Sequence, residues 1–229
     1  MIDLMDKVLL GMDERELVDL PELSCRVHQQ LCESLIFLQA RAANAGFILK
    51  VASSYRSFAR QLLIWNNKAR GTRPVLDDAG EIIDLDRLSP RDKVFAILRW
   101  SALPGASRHH WGTDIDVYDG SSITPDYQLQ LTVAETRGDG PFAGFHRWLD
   151  EELKQDDSKF FRPYARDCGG IAPEPWHLSY APLAELFSRQ FNQEILRRQL
   201  EQTDLELKQT VLDNLDEIYQ RFIRIESLQ

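Results

Sequence analysis

Apolar residues recur at three- and four-residue steps through residues 22–45, at Val27, Leu31, Leu35, Leu38 and Ala42, and predict one helix stopped by Gly46. The next run, Phe47 to Ser53 (FILKVAS), is short, apolar and partly β-branched, which predicts a buried strand. Polar SSYRS follows, then a second helix from about Phe58 to Arg70, ended by Gly71. Residues 71–90 are rich in Gly, Pro and Asp and read as a surface loop. Ser89 and Pro90 open a helix that runs to about Ala102 and breaks at Leu103-Pro104-Gly105. Thr113 to Tyr118 alternates polar and apolar, the pattern of a half-buried strand. Phe142 to Leu153 reads as a helix, and Phe160 to Arg166 and Trp176 to Tyr180 as strands. From Leu183 onward the chain is charged and periodic, without Gly or Pro after Pro182, and predicts helix to the end.

This order places the chain in the α+β class, with a small, mainly antiparallel sheet and flanking helices. Residues 1–182, with their N-terminal helices, form one expected domain. Residues 183–229 form a C-terminal helical extension that packs on it or joins two copies into a homodimer.

Composition narrows the field. With 43% hydrophobic and 28% charged residues, the 229-residue chain is that of an ordinary globular protein. A net charge of −9 argues against nucleic acid as partner, because a phosphate-binding face needs clustered Lys and Arg. It leaves room for a small anionic substrate held by local arginines. The N-terminus opens with Asp3 and Asp6, and its short Val8-Leu9-Leu10 run is soon followed by Asp13, Glu14 and Glu16, unlike an export signal. No stretch is long enough to span a bilayer. The expected location is cytoplasmic, or periplasmic if an export signal has been trimmed. Cys25, Cys32 and Cys168 make a poor disulfide framework and fit a reducing compartment. Cys25 and Cys32, seven apart, read as small core residues on one helix face.

Five histidines are present, of which His28 and His146 fall inside predicted helices. The others occupy two unusual contexts. In Ser107-Arg108-His109-His110-Trp111-Gly112-Thr113-Asp114-Ile115-Asp116, a turn-forming glycine separates a histidine pair from a strand carrying Asp116. In Glu174-Pro175-Trp176-His177, a carboxylate and a histidine flank a proline three residues apart. Two histidines and a carboxylate suit catalytic zinc, which keeps an open position for water. A second carboxylate, Glu174, can take that water's proton.

The two segments resemble the SxHxxGxxxD and ExWH motifs of the LAS metallopeptidases, which include VanY-like D-alanyl-D-alanine carboxypeptidases, VanX-type dipeptidases and some phage endolysins. A third block, SGYRS followed by Gln, is matched by Ser53-Ser54-Tyr55-Arg56-Ser57 and Gln61. The blocks keep the family's order across residues 53–177, about half the chain. The resemblance implies one zinc ion per chain on His109, Asp116 and His177, with Glu174 as general base. It implies that Arg56 and Ser107 face the substrate, with Tyr55 and Gln61 lining the pocket. Family spacing favours His109 over His110. The chain departs from the family at Ser54, usually Gly, and at Asp114, usually Ala. Asp114 shares a strand face with Asp116, so it either orients a ligand histidine or competes for the metal.

The implied substrate is a peptidoglycan-derived peptide that loses a terminal D-alanine. For a cytoplasmic enzyme the leading expectation is an LD-carboxypeptidase acting on recycled tetrapeptides. A DD-carboxypeptidase on D-Ala-D-Ala ends is the alternative. A non-catalytic zinc- or peptide-binding module is disfavoured because it has no need of Glu174. A phage-type endolysin fits poorly with an acidic chain.

Overall fold

Asp3, whose side chain accepts the Asp6 N–H at 2.8 Å, caps a short first helix, α1 (Leu4–Leu9), in the computed structural model, which describes residues 3–224. The apolar run of residues 22–45 folds in pieces rather than as one helix. Pro21 opens a 3-10 turn, Ser24 takes a left-handed conformation with φ +50°, and Cys25–His28 becomes a strand, β2. It pairs antiparallel with β1 (Leu17–Leu20), a strand the periodicity does not reveal. The His28 N–H also donates to the Gly112 carbonyl at 2.8 Å. Tertiary pairing outweighs helix propensity over these residues. Helix α2 begins only at Cys32 and ends at Asn44. Cys25 and Cys32 therefore sit on a strand and a helix start, not on one helix face, and all three cysteines are free. His28 likewise closes a strand rather than lying inside a helix.

The main sheet contains β3 (Leu49–Ser53), β4 (Asp114–Asp119), β5 (Phe160–Phe161) and β6 (His177–Tyr180), in the order β3-β4-β6-β5. Every neighbouring pair is antiparallel, as the α+β reading expects. The run predicted as a strand to Arg166 stops at Phe161, and Pro163 has no N–H to extend the ladder. Ile115, Val117 and Leu178 are fully buried on one face of the sheet. The alternate residues Asp114, Asp116, His177 and Ser179 share the other face.

Helix α3 (Phe58–Ala69) follows β3, capped by Ser57, whose hydroxyl accepts the Arg60 N–H. Helix α4 (Pro90–Leu98) has the expected Ser89 cap but ends before Ala102. Two helices precede β5: α5 (Val133–Thr136) and α6 (Ala143–Glu152). The C-terminal helices are α7 (Ala181–Gln190), α8 (Gln193–Glu201), α9 (Lys208–Asp213) and α10 (Leu215–Ile218), followed by a π turn over Tyr219–Ile223. Residues 225–229 of the helix prediction lie outside the described residues.

Phe187, Leu196, Leu200 and Val211 join the same buried cluster as Leu9, Leu35 and Trp65. Polar bonds reinforce the contact. The Trp65 indole donates to the Glu206 carbonyl at 3.0 Å, and the Asn66 amide donates to the Asp204 carbonyl and accepts the Glu206 N–H. No helix among the described residues is long and apolar enough to cross a membrane.

Candidate active site

Strand register builds the centre of the site. Asp116 on β4 lies opposite His177 on β6, and Asp114 lies opposite Ser179. Directly opposed residues on one sheet face bring their side chains together. His177 Nδ1 is 3.2 Å from Asp116 Oδ1. His109 arrives from the 3-10 turn Arg108–Trp111, its Nε2 3.4 Å from Asp116 Oδ2. One candidate ligand atom from each of His109, Asp116 and His177 falls within 4.8 Å of the others, and all three residues are buried. Gly112 makes the turn possible. It adopts φ +67°, and a Cβ there would meet the Leu17 side chain at 2.5 Å and the His28 nitrogen at 2.8 Å.

The donor set fits a divalent metal. Asp116 Oδ1 and His177 Nδ1 are buried polar atoms without a hydrogen-bond partner, and His109 turns Nε2 toward the same carboxylate. Such atoms are costly unless something satisfies them. Two imidazoles and one carboxylate are the three protein ligands of a catalytic zinc with one position open.

Asp114 has a different role in the geometry. Its Oδ1 accepts from His177 Nε2 at 2.9 Å and from Arg108 Nε at 2.8 Å. Its Oδ2 accepts from the Thr113 hydroxyl at 2.6 Å and the Ser179 hydroxyl at 3.1 Å. Arg108 Nη2 donates to Ser179 Oγ at 2.6 Å and so closes the network. With Nε2 committed to Asp114, His177 presents Nδ1 to Asp116 and Glu174. Burial alone would raise the Asp114 pKa, but the Arg108 charge and the hydrogen bonds from His177 and Thr113 hold it below its ordinary value. Burial likewise works against a charged His177, yet Asp114, Asp116 and Glu174 lift its pKa well above the ordinary value.

Glu174 borders this cluster. Its Oε2 is 3.3 Å from His177 Nδ1, and its side chain keeps 16% exposure. The Glu174 N–H donates to the Tyr164 carbonyl at 2.9 Å, while the Tyr164 ring packs edge-on against His177. Arg56 is held by Gln61 Oε1 at 2.9 Å and Ser53 Oγ at 3.0 Å. Asp116 and Glu174 attract its charge against the burial that lowers its pKa. Gln61 is itself fully buried and donates to the Ala102 carbonyl. It therefore acts on the guanidinium from behind, whereas the sequence suggests a pocket wall.

Ser107 is buried at the head of the His109 turn, where its carbonyl accepts the His110 N–H. Tyr55 turns its hydroxyl to the Gly11 carbonyl at 3.2 Å and to Glu14 at 3.3 Å, binding the N-terminal arm. His110 uses both ring nitrogens structurally. Nδ1 bonds the Arg56 carbonyl, and Nε2 accepts the Gly105 N–H at 3.0 Å. Burial holds its pKa down to about 3. Arg108, Ser179, Ser53 and Tyr164 are site residues that sequence reasoning does not single out. Ser53 and Arg108 fall inside the motif segments and Ser179 lies two positions after His177 on a strand, whereas Tyr164 has no signal in the sequence.

The family model described as VanY, D-alanyl-D-alanine carboxypeptidase, matches residues 24–183, and the chain belongs to that family. An uncharacterized protein of Haemophilus influenzae is 46% identical over 100 residues, covering 42% of this chain and 68% of that protein. A second from the same organism is 34% identical over 123 residues, covering 53% and 92%. The fold is shared with the vancomycin-resistance D,D-pentapeptidase VanY from a VanB-type cassette, solved in complex with Zn(II). That match has a TM-score of 0.50 and 22% identity over 86% of this chain and 89% of the other. VanYB in complex with D-alanine-D-alanine gives a TM-score of 0.51 and 21% identity over 82% and 90%.

Proposed function

We propose that the protein is a zinc-dependent carboxypeptidase that releases the terminal D-alanine of peptidoglycan peptides, with His109, Asp116 and His177 as ligands of one metal ion. The observation that carries this reading is the buried His-Asp-His set with Glu174 Oε2 3.3 Å from His177 Nδ1. When bound, the metal supplies Lewis acidity and makes a water reactive near neutral pH. Glu174, partly exposed beside the ligands, takes the proton from the attacking water and delivers it to the leaving amine. Arg56, fixed by Gln61 and Ser53, faces the negative charge that develops on the scissile carbonyl oxygen or the peptide's terminal carboxylate. Ser107 supports the same substrate end.

The finer assignment is the L,D bond of a tetrapeptide. The cationic surroundings of Glu174, from Arg56 and Lys68, suit a carboxylate-bearing diamino acid next to the scissile bond. Cleavage of a D,D bond is the second reading, favoured by the family and by the D-alanine-D-alanine complex of VanYB.

The test incubates zinc-loaded protein with a muropeptide tetrapeptide and a pentapeptide and follows D-alanine release by mass spectrometry. Loss of one alanine from the tetrapeptide alone supports the L,D assignment. Loss from the pentapeptide alone, stopping at the tetrapeptide, moves it to the D,D class. Full activity in a Glu174→Ala variant would remove the mechanism.

A further inference from the structure

Lys68 lies on the same face of α3 as Gln61 and Trp65, at steps of seven and three residues, and is half-buried. Among the described residues it has no ion pair. The nearby charges that act on it are Arg73 and Arg56, which repel it, and Glu174, which attracts it. Arg73 is brought close by a tight turn, in which the Thr72 and Arg73 N–H groups both donate to the Asn67 carbonyl. Burial and the two arginines pull the Lys68 pKa down to about 8, so most of the side chain is still charged at neutral pH.

A cation held partly out of water without a counter-ion is costly. Here Arg56 and Lys68 both lie within reach of Glu174, Arg56 also of Asp116, and Arg73 lies near the two cations. A divalent metal on Asp116 would tip that balance further positive. One terminal carboxylate, engaged by Arg56 and Ser107, leaves Glu174 as the single carboxylate acting on Lys68. Lys68 is also seven residues beyond Gln61, about 10 Å along the helix axis. That offset separates the backbone position of Lys68 from that of the residue holding Arg56.

Resting on the carboxypeptidase reading above, we infer that Lys68, assisted by Arg73, forms a subsite for a second carboxylate of the peptide. The carboxylate is the one borne by a diamino acid such as meso-diaminopimelate beside the scissile bond. Lysine offers a matched control, because it is diaminopimelate without that carboxylate.

The experiment measures D-alanine release from two tetrapeptides, identical except for meso-diaminopimelate or L-lysine at the third position, by zinc-loaded wild type and Lys68→Met. Wild type is expected to favour the diaminopimelate peptide roughly tenfold in kcat/KM, mainly through KM, as for a charge-assisted contact. In Lys68→Met that ratio falls toward one, and Lys68→Arg restores most of it. A wild-type ratio of one overturns the inference and leaves the carboxypeptidase reading standing. A variant that slows both peptides equally and keeps the ratio also overturns it, and assigns Lys68 to the terminal carboxylate. Release from the matching pentapeptides alone also overturns the inference, because the diamino acid is then not beside the scissile bond, and release from none of the four peptides removes the carboxypeptidase reading as well.

Discussion

A carboxylate with no exposure, next to a histidine, needs a cation or a proton, and at Asp114 the cation is Arg108. The pair keeps Asp114 ionised, so it accepts the His177 Nε2–H and leaves Nδ1 facing Asp116 and Glu174. A carboxylate behind a ligand histidine typically contributes 10- to 100-fold in metal affinity. Arg108→Met with Asp114→Ala, which removes the buried charges together, is expected to weaken zinc binding by roughly that factor. Chelator competition on the folded variant is the check. A second expectation concerns protons. Because three carboxylates raise the His177 pKa, the metal-free protein holds a proton where a metal would bind. Metal and proton compete, so zinc affinity rises with pH, by up to about tenfold per unit, until that pKa is passed. Calorimetric titration in buffers of different ionisation enthalpy would show proton release on binding; no release would contradict it. The three candidate donors that the fold brings together are legible in the sequence because each lies in a short contiguous motif. Arg108 as the partner of Asp114, and the burial of Gln61 behind Arg56, depend on which strands pair, and no local pattern encodes that.

At the scale of elements, two glycines decide whether segments distant in sequence can meet. Gly112 lets the His109 turn touch β1 and β2, and Gly11, at φ +71°, lets the N-terminal arm lie on His110. A Cβ on Gly11 would come within 2.5 Å of His110 Nδ1, the atom bonded to the Arg56 carbonyl. Gly112→Ala adds a clash with backbone, at His28 N, to an unfavourable dihedral. Destabilisation of a few kcal/mol is expected, about 1–3 from the backbone conformation alone. Urea denaturation measures it, and a loss below about 0.5 kcal/mol would mean that the turn relaxes without difficulty. The helices α3, α4 and α6 are readable because period, cap and stop signals agree over ten or so residues. The β1–β2 hairpin is not, because its strands are four residues long and its apolar positions also satisfy a helical period.

Across the whole molecule, His110 and His146 are both buried and both pushed down to about 3, in each case chiefly by burial. In the unfolded chain each titrates near its ordinary value of 6.5. Their depressed values mean that stability is fully present above 6.5 and declines as pH falls toward 3, because only the unfolded state takes up the protons. Each contributes a slope of up to roughly 1.4 kcal/mol per pH unit within that window. The thermal midpoint is expected to fall between pH 6 and pH 4, and His146→Gln, neutral throughout, to make the fall shallower. An unchanged slope in that variant would show that His146 is hydrated rather than buried. The bonds from Trp65 and Asn66 to residues 204–206 join partners 138 to 141 positions apart. Contacts of that sequence separation form late, since a long loop must close first. A nascent chain emerging from the ribosome thus exposes all three candidate metal ligands before residues 204–206 are available to brace α3. A metal affinity that depends on a braced α3 is then expected to mature only once residues 204–206 have cleared the exit tunnel, so that metal loading trails the synthesis of its own ligands.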